Sequence, residues 1–168
     1  MFDLLNKKRA ATLKKSRGFS LLEIVIATAI LATVLLGSVG ALTLAIKIAS
    51  ANTAKIQAAY LAEEGVEAVR ILRDNGWAAN IASQASPFYL SFNGTTWQAT
   101  SVNQYVDGIF ERKVTLSSIY RDGSKKIVWS GGTLDTNAKK ITVEVSWLSA
   151  GATTTKSIST ILANIFNN

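Results

Sequence analysis

Apolar and polar positions change their spacing along the chain in three stages. From Ile24 to Ile46 run 23 consecutive uncharged residues, IVIATAILATVLLGSVGALTLAI. As a helix this run spans roughly 34 Å, against a bilayer hydrocarbon core of about 30 Å. A soluble core helix seldom stays apolar on every side for so long, so the run predicts a membrane span. No breaker comes after it. The pattern narrows to a stripe of Ala58, Leu61, Ala62, Gly65, Val66, Val69 and Leu72, the spacing of one helical face. Gln57, Glu63, Glu64, Glu67, Arg70 and Asp74 take the other side, and Asn75-Gly76 supplies the stop. One helix from about Phe19 to Asp74 is expected, its first half in lipid and its second half laid on a globular domain.

The third stage has a period of two. Gly76 to about Thr100 is rich in Ala, Ser, Asn and Gln and holds Pro87, which predicts an irregular connection with a short helix or an edge strand. Phe110, Val114, Leu116 and Tyr120 then share one parity, interrupted by Arg112 and Ser118. Asp122-Gly123 reads as a turn before Lys126–Trp129, and Gly131-Gly132 and Thr136-Asn137 punctuate the next stretch. Ile141, Val143, Val145 and Trp147 alternate with Thr142, Glu144 and Ser146, the cleanest strand in the chain. Ala150-Gly151 turns it into a last strand over Thr155–Phe166. Strands with one apolar and one polar face suit an antiparallel sheet packed on the striped helix, an α+β fold. The expected organisation is a basic leader (1–18), a span (19–46), an amphipathic continuation (47–75) and an exported β-rich domain (76–168).

Charge sharpens this picture. The formal net charge is +7, but residues 1–18 carry Lys7, Lys8, Arg9, Lys14, Lys15 and Arg17 against Asp3 alone. The remainder holds 12 basic and 10 acidic residues, which argues against nucleic acid as a partner. Basic residues before an apolar run place the N-terminus in the cytoplasm and export the rest. The chain has neither Cys nor His. It therefore lacks thiolate nucleophiles, the usual zinc and iron ligand sets and the commonest general base. No phosphate loop, triad or metal cluster stands in the sequence, so no cofactor, metal or catalytic residue is expected, and the chain reads as a non-enzyme.

The junction between the basic and apolar stretches is the informative place. An ordinary secretory signal is cut after its apolar stretch. Ala27-Thr28-Ala29 has the composition for such a cut, but few apolar residues precede it. The segment Gly18-Phe19-Ser20-Leu21-Leu22-Glu23 lies before the run and resembles the type IV prepilin cleavage and methylation motif. The resemblance implies a membrane-embedded aspartic peptidase that cuts after Gly18 and methylates the new N-terminal amine of Phe19. It makes Glu23 the fifth residue of the mature chain. It further implies membrane lipid, an inner-membrane assembly platform and other pilin subunits as partners. The protein would sit in the cytoplasmic membrane, then in an extracellular pilus or a periplasmic pseudopilus.

A carboxylate at the edge of a membrane helix is disfavoured, so Glu23 invites a partner. Cleavage after Gly18 would create an amine four positions away, and in a filament Glu23 of one subunit can neutralise the amine of its neighbour. The plainer reading is an interfacial acid favoured by the helix dipole. Ala29, Thr33, Gly37 and Ala41 recur every four residues, a spacing that lets helices approach closely, although small residues are common in membrane helices generally. Gly40 falls where many pilins carry a helix-loosening proline.

Weaker signals have bland readings. Asn93-Gly94-Thr95 matches a glycosylation sequon by its residues alone. Asp107, Asp122 and Asp135 lack the dense ligand spacing of a calcium loop and read as turn residues. Trp77, Trp97, Trp129 and Trp147 could stack single-stranded DNA, but Trp147 is in phase with a core face. Lys125-Lys126 and Lys139-Lys140 read as solvated turn flanks. Ala59–Arg73 and Ile141–Leu148 look similar to minor pilins. The absence of a Cys pair departs from many major pilins, whose C-terminal loop is closed by a disulfide. A major pilin, a secretion pseudopilin, a DNA-uptake receptor and an uncut single-pass membrane protein remain as alternatives.

Overall fold

A computed structural model describes residues 18–128 and 130–166. The basic leader up to Arg17, and Trp129, lie outside the described residues. The chain divides into two compact units, Met1–Ile46 and Lys47–Asn168.

One helix, α1, covers Leu21–Asp74. In its first part every residue is exposed, and none of the apolar window is buried within the chain. Its hydroxyls stay inside the helix. Thr28 donates to the carbonyls of Ile24 and Val25 at 3.0 and 2.9 Å, and Thr33 donates to those of Ala29 and Ile30 at 3.2 and 2.8 Å. Ser38 donates to Val34 at 2.7 Å and Thr43 to Val39 at 2.9 Å. A helix so closed on itself offers lipid no unsatisfied hydroxyl hydrogen.

In the second unit, Ala58, Ala62, Gly65, Val66, Ala68, Val69 and Leu72 are buried. This is the expected stripe with Ala68 added, while Leu61 is only half-buried at its border. They pack on a six-stranded antiparallel sheet of order β2-β1-β3-β5-β6, with β4 on the far end of β3. The strands are β1 Phe88–Phe92, β2 Trp97–Thr100, β3 Glu111–Arg121, β4 Ile127–Val128, β5 Thr133–Ser149 and β6 Ala152–Ala163. On β5, Ile141, Val143, Val145 and Trp147 all face the core. A Cβ placed on Gly65 would come within 2.7 Å of Val143 Cγ1 and 3.2 Å of Arg112 Cδ, so glycine sets the closest approach of helix to sheet.

Four details differ from the expectation. The stretch after Gly76 is ordered: a short π-helical turn, Ala78–Ala82, leads into the β1–β2 hairpin. Asn93 Oδ1 accepts the N–H groups of Thr95 and Thr96 at 3.0 and 2.9 Å and so closes that hairpin. Arg112 does not interrupt the core face but belongs to it. The residue is 4% exposed, its Nη1 lies 2.6 Å from a Glu64 carboxylate oxygen, and its guanidinium lies 5.0 Å over the Trp97 ring. Thr136-Asn137 does not break β5. The register steps from Ser118↔Lys139 to Ile119↔Asp135, which leaves three β5 residues bulged opposite none. That bulge turns Ile119 inward and Tyr120 outward, reversing the expected parity there. Finally, β6 spans Ala152–Ala163, starting and ending three residues before the Thr155–Phe166 segment expected for it. Ala150 and Gly151, with φ of 51° and 83°, form a two-residue turn of the type hairpins favour.

Candidate processing and assembly site

Gly18, Phe19 and Ser20 are outside any helix or strand and exposed, with Phe19 at 78%. A peptidase must seat an extended backbone, and the Gly18–Phe19 bond lies in such chain two residues before α1 begins. No heavy atom lies within 4 Å of the place a Gly18 Cβ would occupy. What holds the helix off this bond is Ser20. Its carbonyl accepts the Ile24 N–H at 3.2 Å and its Oγ faces the Glu23 N–H at 3.4 Å, so Ser20 is the N-cap. The residues Ser20-Leu21-Leu22-Glu23 fit the capping-box pattern, a helix-start signal in the sequence itself. The helix therefore begins at Leu21 and not at the expected Phe19.

Glu23 is the acidic residue of the first turn and is exposed, one turn beyond Phe19. The backbone dipole favours a carboxylate there. Gly18, Phe19 and Glu23 are thus gathered within the first turns of the chain described. Ala29, Thr33, Gly37 and Ala41 come next along α1, all exposed. Added Cβ atoms at Gly37 and Gly40 would meet nothing within 4 Å, and α1 continues through both.

The weaker candidates have other occupations. Asp122 Oδ1 accepts the N–H groups of Ser124 and Lys126, closing the β3–β4 turn. Asp135 accepts from Arg121 Nε at 2.6 Å and from the Asn137 N–H at 2.9 Å. The Arg121 bond, aided by that backbone donor, holds the Asp135 carboxyl below its usual range although partial burial opposes it. Asp107 sits at φ 52° in a turn. Among the described residues no group of three or more His, Cys, Asp or Glu is placed to hold a metal. Trp77 and Trp147 are buried in the core, and Trp97 packs between Arg112 and Phe92. Tyr89 donates to Glu111 at 3.1 Å, and that bond raises its phenol pKa.

Residues 13–39 match the family described as the prokaryotic N-terminal methylation motif. No curated protein and no solved structure matches the chain. The match spans Gly18, Phe19, Glu23 and the first part of α1, and the helix it enters is long and apolar enough to cross a membrane. With that motif, that helix and an antiparallel sheet behind it, the chain has the N-terminal signature and α+β form of the type IV pilin-like family.

Proposed function

We propose that the protein is a prepilin-type structural subunit, cut between Gly18 and Phe19, methylated on the Phe19 amine and built into a filament without catalysing any reaction. The observation that carries this is the position of the methylation motif: it lies ahead of the apolar helix, on non-helical exposed chain. Cleavage there removes the basic leader and retains the anchor. The mature subunit waits in the cytoplasmic membrane as a single-pass protein with its N-terminus inside. An assembly platform then moves it into a bundle of like helices. In that bundle the Phe19 amine of one subunit and the Glu23 carboxylate of its neighbour neutralise each other. A charge left buried alone costs several kcal/mol, so the pair fixes axial register more than it adds stability. Ala29, Thr33, Gly37 and Ala41 give the bundle a face for close approach.

Within this class we read a minor subunit, of a pilus more readily than of a secretion pseudopilus. Support comes from the likeness of Ala59–Arg73 and Ile141–Leu148 to minor pilins and from the absence of a cysteine pair. Abundance in sheared filaments separates the two: a minor subunit is a trace component of the filament, a major one its bulk.

Intact mass of membrane-extracted protein tests the processing step. The expected mass lacks Met1–Gly18 and carries one added methyl group, and replacing Gly18 by leucine restores the uncut chain. A full-length mass in cells with an active prepilin peptidase contradicts the proposal.

A further inference from the structure

The end of the exported unit that adjoins Lys47 carries an unusual combination of groups. Tyr105, Ile109 and Leu148 are 60%, 57% and 71% exposed there, and they border one shallow depression. Beside it a groove of about 390 Å³ is lined by Lys55 and Ile56 of α1, by Trp147 of β5 and by Lys156 of β6. Lys47, Lys55 and Lys156 are exposed and have no ion-pair partner among the described residues. Two acids lie close by, Asp107 in the turn before Ile109 and Glu111, the latter hydrogen-bonded by Tyr89.

The contacts fix the level of this end along the helix. Val143 lies against Gly65, and Trp147 lies beside Ile56 and Ala59. Four strand residues cover about 13 Å and the six to nine helical residues between those points about 9–14 Å, so β5 runs back along α1. Ala150, three residues past Trp147, is carried about 10 Å further, to about the level of Ser50. That is some 4–5 Å above Lys47, while each headgroup layer is roughly 5–8 Å deep.

We propose that this end, the β5–β6 hairpin tip with Tyr105 and Ile109, is a surface that rests on an anionic phospholipid bilayer before assembly. The proposal relies on the reading of α1 as a membrane span. Exposed aromatic and aliphatic side chains ringed by lysines are what the headgroup region accepts: rings and Leu148 at the acyl boundary, ammonium groups on lipid phosphate. A second copy of the chain is the less fitting occupant. An apolar protein interface seals its rim with paired charges, whereas these three lysines stand in excess over the two acids.

Depth-dependent quenching tests it. The chain has no cysteine, so Leu148→Cys, Val34→Cys and Ile127→Cys each carry one fluorescent label in the full-length protein. Ile127 pairs with Arg121, at the opposite end of β3 from Glu111. The protein is reconstituted in phosphatidylglycerol-containing vesicles with quencher on the headgroup or deep in the acyl chain. The Val34 label is expected to be quenched from the deep position, the Leu148 label from the headgroup, and the Ile127 label from neither. Exchanging phosphatidylglycerol for phosphatidylcholine, or combining Lys55→Gln with Lys156→Gln, should reduce the Leu148 quenching several-fold and leave Val34 unchanged. A quenched Val34 beside an unquenched Leu148 overturns the surface and leaves the span standing. An unquenched Val34 overturns both. Shielding of Leu148 that tracks protein density instead of lipid charge assigns the patch to contact between copies, and also overturns the proposal.

Discussion

The two parts of α1 are one element of secondary structure facing two different environments. Up to Ile46 its leucines, isoleucines and valines are all more than half exposed, whereas beyond Ala54 the apolar stripe is almost wholly buried against β3 and β5. Both parts obey the same helical geometry, so the difference lies in where the partner is. The second part finds its partner within the chain, and its apolar face is therefore narrow. The first part is apolar on every side and satisfies its own hydroxyls, which suits a partner that surrounds it, lipid first and other helices later. A polar substitution should consequently act on insertion in one part and on folding in the other.

The sharpest way to break this contrast is to put a carboxylate in each. Ala62→Asp places a charge at a site with no exposure and should cost about 3–5 kcal/mol, enough to unfold the exported unit. Limited proteolysis of detergent-extracted protein would show it as rapid digestion. Val34→Asp, at a position 57% exposed, should leave that unit protease-resistant. It should instead raise the cost of insertion by about 2.5–3.5 kcal/mol, read as a smaller membrane-integrated fraction. Equal effects on folding would erase the distinction.

Glycines give a second, smaller pair. Gly65→Ala gains about 1 kcal/mol of helix propensity but drives a methyl group into Val143 and Arg112, so a net loss of about 1 kcal/mol is expected in urea unfolding. Gly37→Ala meets nothing within 4 Å and should not lower the stability of the subunit. If Gly37 lies on the packing face, the same change reduces filament yield, which separates assembly from folding.

Titration probes the sheet alone. With its folded pKa depressed, mainly by Arg121, Asp135 contributes stability that is present above the ordinary carboxylate pKa of about 4 and is lost as pH falls through the lower folded value. Asp135→Asn should remove that share of the acid-side loss and lower stability at neutral pH, as unfolding midpoints across pH 2–7 would record. The smallest effect is expected at the β5–β6 turn. Ala150 holds φ at 51°, and Ala150→Asn should stabilise the exported unit by about 0.5–1 kcal/mol.

Much of this was legible before the structure, for physical reasons that differ by region. A 23-residue apolar run and a stripe at helical spacing are long-range regularities, and α1 realised both. The start of α1 rests on Ser20 and Glu23, a capping pattern that the cleavage motif overlaps residue for residue. The β1–β2 hairpin was hidden because its strands are short and their composition polar, although Asn93-Gly94 marks its turn. Arg112 could not be placed from one strand, since its neighbours Glu64 and Trp97 come from distant elements. The β5 bulge escaped for a similar reason: a bulge is a relation between two strands, and alternation within one strand cannot show it.

The most direct test of the central claim is competition at Glu23. Wild-type and Glu23→Gln subunits are co-expressed, and their ratio is measured by mass spectrometry in the membrane and in sheared filaments. Both forms should lose Met1–Gly18 equally and occur in the membrane at their expressed ratio, while the Glu23→Gln form should be depleted from filaments at least several-fold. Equal representation in the filament would contradict the pairing of the Phe19 amine with Glu23.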